Sequence, residues 1–163
     1  MVTIRLEVPG DAAAADAIVA ERFGPGRFAK TAYRLREGVM PVAALSFVAE
    51  HEGRVVGTVR YWPIEIGGAP ALMLGPIAVV SSMQGQGNAL ALMQTSLEAA
   101  RKLGHRAVVL VGDEPYYGRA GFKRIEPAGR ITMPGPVDLA RLLGLSLVEG
   151  ALEAMAGEMR KST

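Results

Sequence analysis

Residues 3–8 alternate apolar and polar side chains, the period of a half-buried strand, and Pro9-Gly10 ends the run. Asp11 is placed to cap a helix over residues 12–23, with Ala14, Ala17, Ile18 and Phe23 as its inner face. Gly24-Pro25-Gly26 breaks that helix, and a shorter one is predicted over 28–37, ended by Gly38. Two β-rich runs, 43–50 and 54–62, flank His51-Glu52-Gly53 and read as a hairpin. After a turn at Gly67-Gly68-Ala69-Pro70, residues 72–80 are almost continuously apolar. That pattern predicts a central strand buried on both faces. Pro76 cannot donate a ladder hydrogen bond, so the strand is expected to bulge or splay there.

A helix follows over about 87–103, with Leu90, Leu92, Met93, Leu97 and Ala100 as its packing stripe and Gly104 as its stop. Residues 107–111 form a short apolar strand. Gly112-Asp113-Glu114-Pro115 opens a short helix to about Ala120. Strands are predicted at 122–125 and 141–148, and residues 151–163 are read as a C-terminal helix or docked tail. The order β α α β β β α β α β β makes one α+β (or α/β) domain over residues 1–163, a mixed, mostly antiparallel sheet flanked by helices.

With 163 residues, 50% of them apolar, the chain can bury a core of its own. A net charge of +2 argues against nucleic acid as a partner. The absence of cysteine excludes disulfides, thiolate metal sites and a cysteine nucleophile, and His51 and His105 form no metal-ligand spacing. No apolar run approaches the roughly 20 residues of a membrane helix, and residues 1–6 alternate like a strand rather than a signal core. A cytoplasmic enzyme or binding protein with no membrane partner is expected.

The chemistry is concentrated in the turn between the strand at 72–80 and the helix that follows. Gln84-Gly85-Gln86-Gly87-Asn88-Ala89 is glycine-rich and opens a helix. Free backbone N–H groups and the helix dipole make such a turn an anion site, suited to a phosphate or pyrophosphate. It lacks the Lys-Ser/Thr ending of a P-loop and lacks a dinucleotide-binding G-x-G-x-x-G, which argues against a nucleotide-binding domain.

Three segments in order resemble the GNAT N-acetyltransferase superfamily. Gln84 to Ala89 matches the family's Q/R-x-x-G-x-G/A loop. Leu74-Gly75-Pro76-Ile77-Ala78-Val79 is similar to its fourth strand, and Tyr116-Tyr117-Gly118-Arg119-Ala120-Gly121-Phe122 to its Y-x-x-x-G-F segment. The resemblance covers about residues 3–148, and its nearest form is the bacterial predicted N-acetyltransferases with G-D-x-x-Y-Y-G-R-x-G-F. Asn88-Ala89 stands where many relatives have Ile-Gly.

The resemblance implies acetyl-CoA as co-substrate and no metal. It implies that Gln84, Gly85, Gln86, Gly87, Asn88 and Ala89 hold the pyrophosphate, and that Ile77, Ala78 and Val79 offer backbone to the pantetheine arm in a slot between the fourth and fifth strands. Tyr117 stands in the family's Tyr position and is the candidate catalytic side chain, stabilising or protonating the leaving thiolate. Tyr116 is its neighbour, expected either to pack in the core or to line the substrate side. Glu50, Glu65, Asp113 and Glu114 are possible bases, and none is singled out. Phe28, Tyr33, Tyr61 and Trp62 are candidate pocket aromatics, and Arg27, Arg34 and Arg36 either attract an acidic group or solubilise a helix face. The implied activity is direct acetyl transfer to a primary amine of a small molecule or protein, in a ternary complex. The alternative is a non-catalytic CoA-binding module of the same fold. A homodimer is possible through the last strand or the tail.

Overall fold

The computed structural model describes residues 1–162; Thr163 lies outside the described residues. Its strands are β1 (Val2–Leu6), β2 (Phe47–His51), β3 (Arg54–Ile66), β4 (Ala69–Val79), β5 (Ala107–Val111), β6 (Lys123–Arg124), β7 (Ile131–Thr132), β8 (Leu142–Ser146) and β9 (Gly157–Lys161). The helices are α1 (Ala12–Phe23), α2 (Thr31–Arg34), α3 (Asn88–Lys102) and α4 (Glu114–Tyr117). The sheet runs β1-β2-β3-β4-β5-β8-β6. Within it β4 and β5 are parallel and the other neighbours antiparallel. This is the α+β architecture that the pattern predicts.

Side-chain alternation along the central strands builds two apolar layers. Leu72, Leu74, Val108 and Leu110 face α3, where Leu92, Met93, Leu97 and Ala100 meet them. Met73 and Val109 face the other way, onto Ile125, Met133, Leu152 and Met159. Burial on both faces explains the unbroken apolar run in β4. A smaller cluster of Ile18, Val19 and Ala78 seats α1 on the end of β4.

Several local expectations are corrected. In α1 the buried positions are Ala15, Ile18 and Val19, while Phe23 is 40% exposed. Asp11 does not cap α1: its carboxylate accepts from the Val8 N–H at 2.8 Å and takes a two-point bond from Arg5 at 2.8 and 3.0 Å. The helix predicted over 28–37 divides into a 3-10 turn at Pro25–Ala29 and the single-turn α2. Residues 43–45 form a 3-10 turn rather than strand. The tail is not helical. It turns at residues 151–154 and then forms β9, which pairs antiparallel with the far half of β3 and parallel with β7. Met159 is wholly buried by that docking. The tail therefore closes an edge of its own chain.

Arg5 also donates to Glu50 at 3.0 Å, so one guanidinium ties β1, β2 and the turn before α1 together. The bonds from Arg5 and then from the Val8 N–H hold the Asp11 carboxyl below the usual carboxylate range. An Asp11→Asn variant is expected to lose about 1–3 kcal/mol of stability at neutral pH, since charge-assisted bonds to a buried carboxylate are removed. A folded pKa below the unfolded one means that this contribution is complete above about pH 4 and is lost as the pH falls below it. Denaturant melts of both proteins from pH 7 to pH 3 check this: the gap between them should narrow only at the acid end.

Candidate functional site

The site begins where β4 and β5 separate. The two strands pair only at Leu72–Val108 and Met73–Val109. Past that point β4 runs on to Val79 without a partner on the β5 side. The local cause is Gly75-Pro76. The register between β3 and β4 slips between Val59–Ile77 and Tyr61–Leu74, leaving Gly75 and Pro76 as a bulge. Gly75 sits at φ +141°, which L side chains rarely adopt, and Pro76 has no N–H for a ladder. The Trp62 indole N–H donates to the Gly75 carbonyl at 2.5 Å and fixes the bulge to β3.

The divergence opens into a cavity of about 750 Å³. Its floor is Leu74, Gly75, Pro76 and Ile77 of β4 facing Leu110 and Val111 of β5, and Tyr117 stands on it. Tyr117 is held edge-on to Tyr116 (4.9 Å between ring centroids) and to Phe122 (6.4 Å). Its ring also lies directly over Gly112, where a Cβ would collide with it. Gly112 is thus needed for space, a role that its place at the opening of the short helix did not signal. Burial pushes the Tyr117 hydroxyl up to about 12, with the neighbouring Tyr116 and Asp113 adding to the effect. The phenol is therefore protonated across the neutral range, and no hydrogen-bond partner for its hydroxyl is found among the described residues.

Beyond the C-terminal end of β4, the glycine-rich turn has the geometry expected of an anion cradle. Gly85 and Gly87 have φ of +75° and +81°, and Gly87 is the residue from which α3 starts. A Cβ at either would meet nothing, so conformation rather than space demands glycine. Among the described residues, no carbonyl accepts from the N–H groups of residues 85–90. The loop's side chains brace it from within. The Gln84 amide donates to the Val79 carbonyl at 3.3 Å, and the Asn88 amide donates to the Met83 carbonyl at 3.4 Å. Gln84 is thus a brace to the strand end, and Asn88 is buried beneath the loop. Ile77 and Tyr117 share the cavity; residues 84–89 lie outside its lining, beyond the strand end. Ala78 turns its side chain to α1, and Val79 packs in the α3 layer.

The remaining candidates divide. Phe28, Tyr33, Trp62, Arg27, Arg34 and Arg36 all line the cavity. Tyr61 does not: it is fully buried on the α3 side, with its hydroxyl 2.6 Å from Ser96 Oγ. Tyr116 is exposed, and Arg119 stacks on its outer face at 4.4 Å. Among the possible bases, Glu50 is engaged by Arg5, Glu114 accepts from the Arg124 N–H, and Asp113 pairs with Arg141. Neither these nor Glu65 lines the cavity; the carboxylates that do are Asp16 and Asp138, which no local sequence signal marks. Among the described residues no group of His, Asp or Glu side chains is arranged to hold a metal, and no helix is long and apolar enough to cross a membrane.

Comparison with known proteins agrees with this geometry. The model of the Acetyltransferase (GNAT) family matches residues 15–122. The chain is 34% identical over 123 residues to YhbS, an uncharacterised N-acetyltransferase of Escherichia coli strain K12, covering 74% of this chain and 72% of the relative. The crystal structure of E. coli YhbS in complex with CoA superimposes with a TM-score of 0.82 at 29% identity, over 99% of this chain and 89% of that one. A GNAT-family acetyltransferase from Brucella melitensis, solved in complex with acetyl-CoA, gives 0.72 at 27% identity, over 100% and 97%. Fold, motif order and sequence similarity together make the chain a member of the GNAT N-acetyltransferase family.

Proposed function

We propose that this chain transfers an acetyl group from acetyl-CoA directly to a primary amine, both substrates being bound together. The observation that carries the reading is the placement of the stretch of β4 open on the β5 side, including Ile77, and of Tyr117 on one cavity, with free N–H groups at the start of α3 beyond the strand end. Acetyl-CoA supplies the activated thioester. The N–H groups of residues 85–89 hold its pyrophosphate, helped by the α3 dipole. The backbone of the Ile77–Val79 segment, paired with β3 on one side and open on the β5 side, holds the pantetheine arm as an added strand would be held. CoA complexes of two similar proteins support this choice of donor.

The reaction needs little from the protein beyond position and one proton. The neutral amine nitrogen bonds to the acyl carbon as the carbon–sulfur bond breaks. The nitrogen gives up a proton to water, and the leaving sulfur takes one from the Tyr117 hydroxyl. The Tyr117 phenol is protonated at neutral pH and so is available as the donor, and it regains its proton from solvent after the thiol leaves. With no cysteine in the chain, no acetyl-cysteine relay is available.

Two outcomes test the reading. Gln86→Glu places a carboxylate beside the free N–H groups on an exposed, unstrained position. It is expected to weaken CoA binding by roughly tenfold or more while leaving the melting temperature of the free protein unchanged. Unchanged affinity in calorimetry would contradict the cradle. Tyr117→Phe is expected to lower kcat roughly a hundredfold with little change in KM for acetyl-CoA, in an assay of thiol release over a panel of primary amines. In the wild type the rate should rise with pH as the amine deprotonates, with no falling limb from the tyrosine up to about pH 11. A falling limb near pH 10 that the Phe variant abolishes would refute the assigned protonation state. CoA binding without turnover on any amine would favour the non-catalytic module.

A further inference from the structure

Most charged groups on the cavity wall have a partner. Arg60 pairs with Glu7 and Asp16, both at 2.9 Å, Arg141 pairs with Asp113, and Asp138 accepts from the Ala140 N–H at 3.0 Å. Lys30, Arg34 and Arg36 line the cavity without a hydrogen bond or a carboxylate partner among the described residues, and of these Arg36 is the one with a nitrogen sealed from solvent. It is half-buried, and its shielded Nε has no hydrogen-bond partner. No carboxylate pairs with the guanidinium among the described residues. Its surroundings are the Trp62 ring, 5.8 Å away, and the backbone of Gly75, which it approaches so closely that a Cβ there would stand 2.8 Å from Nη2. Burial pulls the group down to about 10, so it is still charged at neutral pH. An unpaired charge held in this way costs folding energy and is left poised for an anion.

We propose that Arg36 receives a carboxylate on the acceptor, so that the natural substrate is a small amino acid or a close relative rather than a simple alkylamine. This rests on the transferase reading given above. In the reading above the phosphates of CoA are held by the loop beyond the C-terminal end of β4, so they do not satisfy Arg36. The planar guanidinium of Arg36 matches one carboxylate by two parallel bonds. Gly75 is two residues from Ile77, and two residues of strand span about 7 Å. An acceptor can then reach Arg36 and the reacting carbonyl together only when few bonds separate its amine from its carboxylate.

The test titrates the intact protein with the N-acetyl forms of glycine, methionine and phenylalanine, each beside its neutral carboxamide, and with CoA in the same samples. At least one carboxylate is expected to bind roughly tenfold or more tightly than its carboxamide, a preference that Arg36→Met abolishes and Arg36→Lys partly keeps. Arg36→Met should also keep its affinity for CoA and melt no lower than the wild type, because a half-buried unpaired charge is removed. A preference for carboxylate that survives Arg36→Met, equal binding of acid and amide, or no binding of any carboxylate would each overturn the proposal. Loss of CoA binding in the wild type would instead sink the transferase reading, with carboxylate binding still deciding the role of Arg36.

Discussion

Hydrogen bonding between the two central parallel strands stops after two residue pairs, and the rest of the site depends on that interruption. A fully paired β4 and β5 would leave neither a cavity nor free backbone. The interruption is encoded in two adjacent residues. Gly75 takes a conformation closed to other side chains, and Pro76 cannot donate to a neighbour. The surrounding fold holds the gap open by packing on both faces. α3 and its apolar stripe cover one face, while Met133, Leu152 and Met159 cover the other. The docked tail thus belongs to the same design: β9 extends the sheet along the far half of β3 and buries Met159 under the strands that diverge.

Charge is distributed so that the middle of β4 and the loop beyond its C-terminal end can each meet a different anion. The α3 start presents backbone dipoles to solvent, where a flexible, highly charged group can be bound without burying a side-chain cation. The cavity holds a formal charge in Arg36 instead, half-buried with its Nε sealed from solvent and its guanidinium against the Gly75 bulge. Between them, the reacting region near Ile77 and Tyr117 is apolar enough to keep a phenol protonated. In the proposed reading the donor's phosphates take the loop and the acceptor's carboxylate takes Arg36.

Features controlled by nearest neighbours were legible in the sequence. The glycine turn, the α3 stripe, the two-faced burial of β4 and the disturbance at Pro76 all follow from local periodicity and backbone chemistry. Family resemblance added the roles proposed for Tyr117 and for residues 77–79 and 84–89. What the sequence hid depends on distant partners. Asp11 lies where a helix cap belongs, but Arg5 and the Val8 N–H engage its carboxylate first. The tail has no strand signature of its own and becomes β9 only because β3 outruns β2 and leaves an edge to pair. Tyr61 and Trp62 are adjacent aromatics, and only strand alternation across the bulge decides that the second faces the cavity. Arg36 looked like one of several helix-face arginines, because nothing local says that its side chain is half-buried without a carboxylate.

The central claim is that acetyl-CoA occupies the parted backbone of β4 and the start of α3. Amide NMR of the isotopically labelled protein during an acetyl-CoA titration tests it most directly. The account predicts saturable shifts of the Ile77, Ala78 and Val79 amides and of Gly85 to Ala89, with Ala71 to Met73, upstream of the divergence, largely undisturbed. Saturable shifts confined to other parts of the chain, or none at millimolar acetyl-CoA, would contradict it.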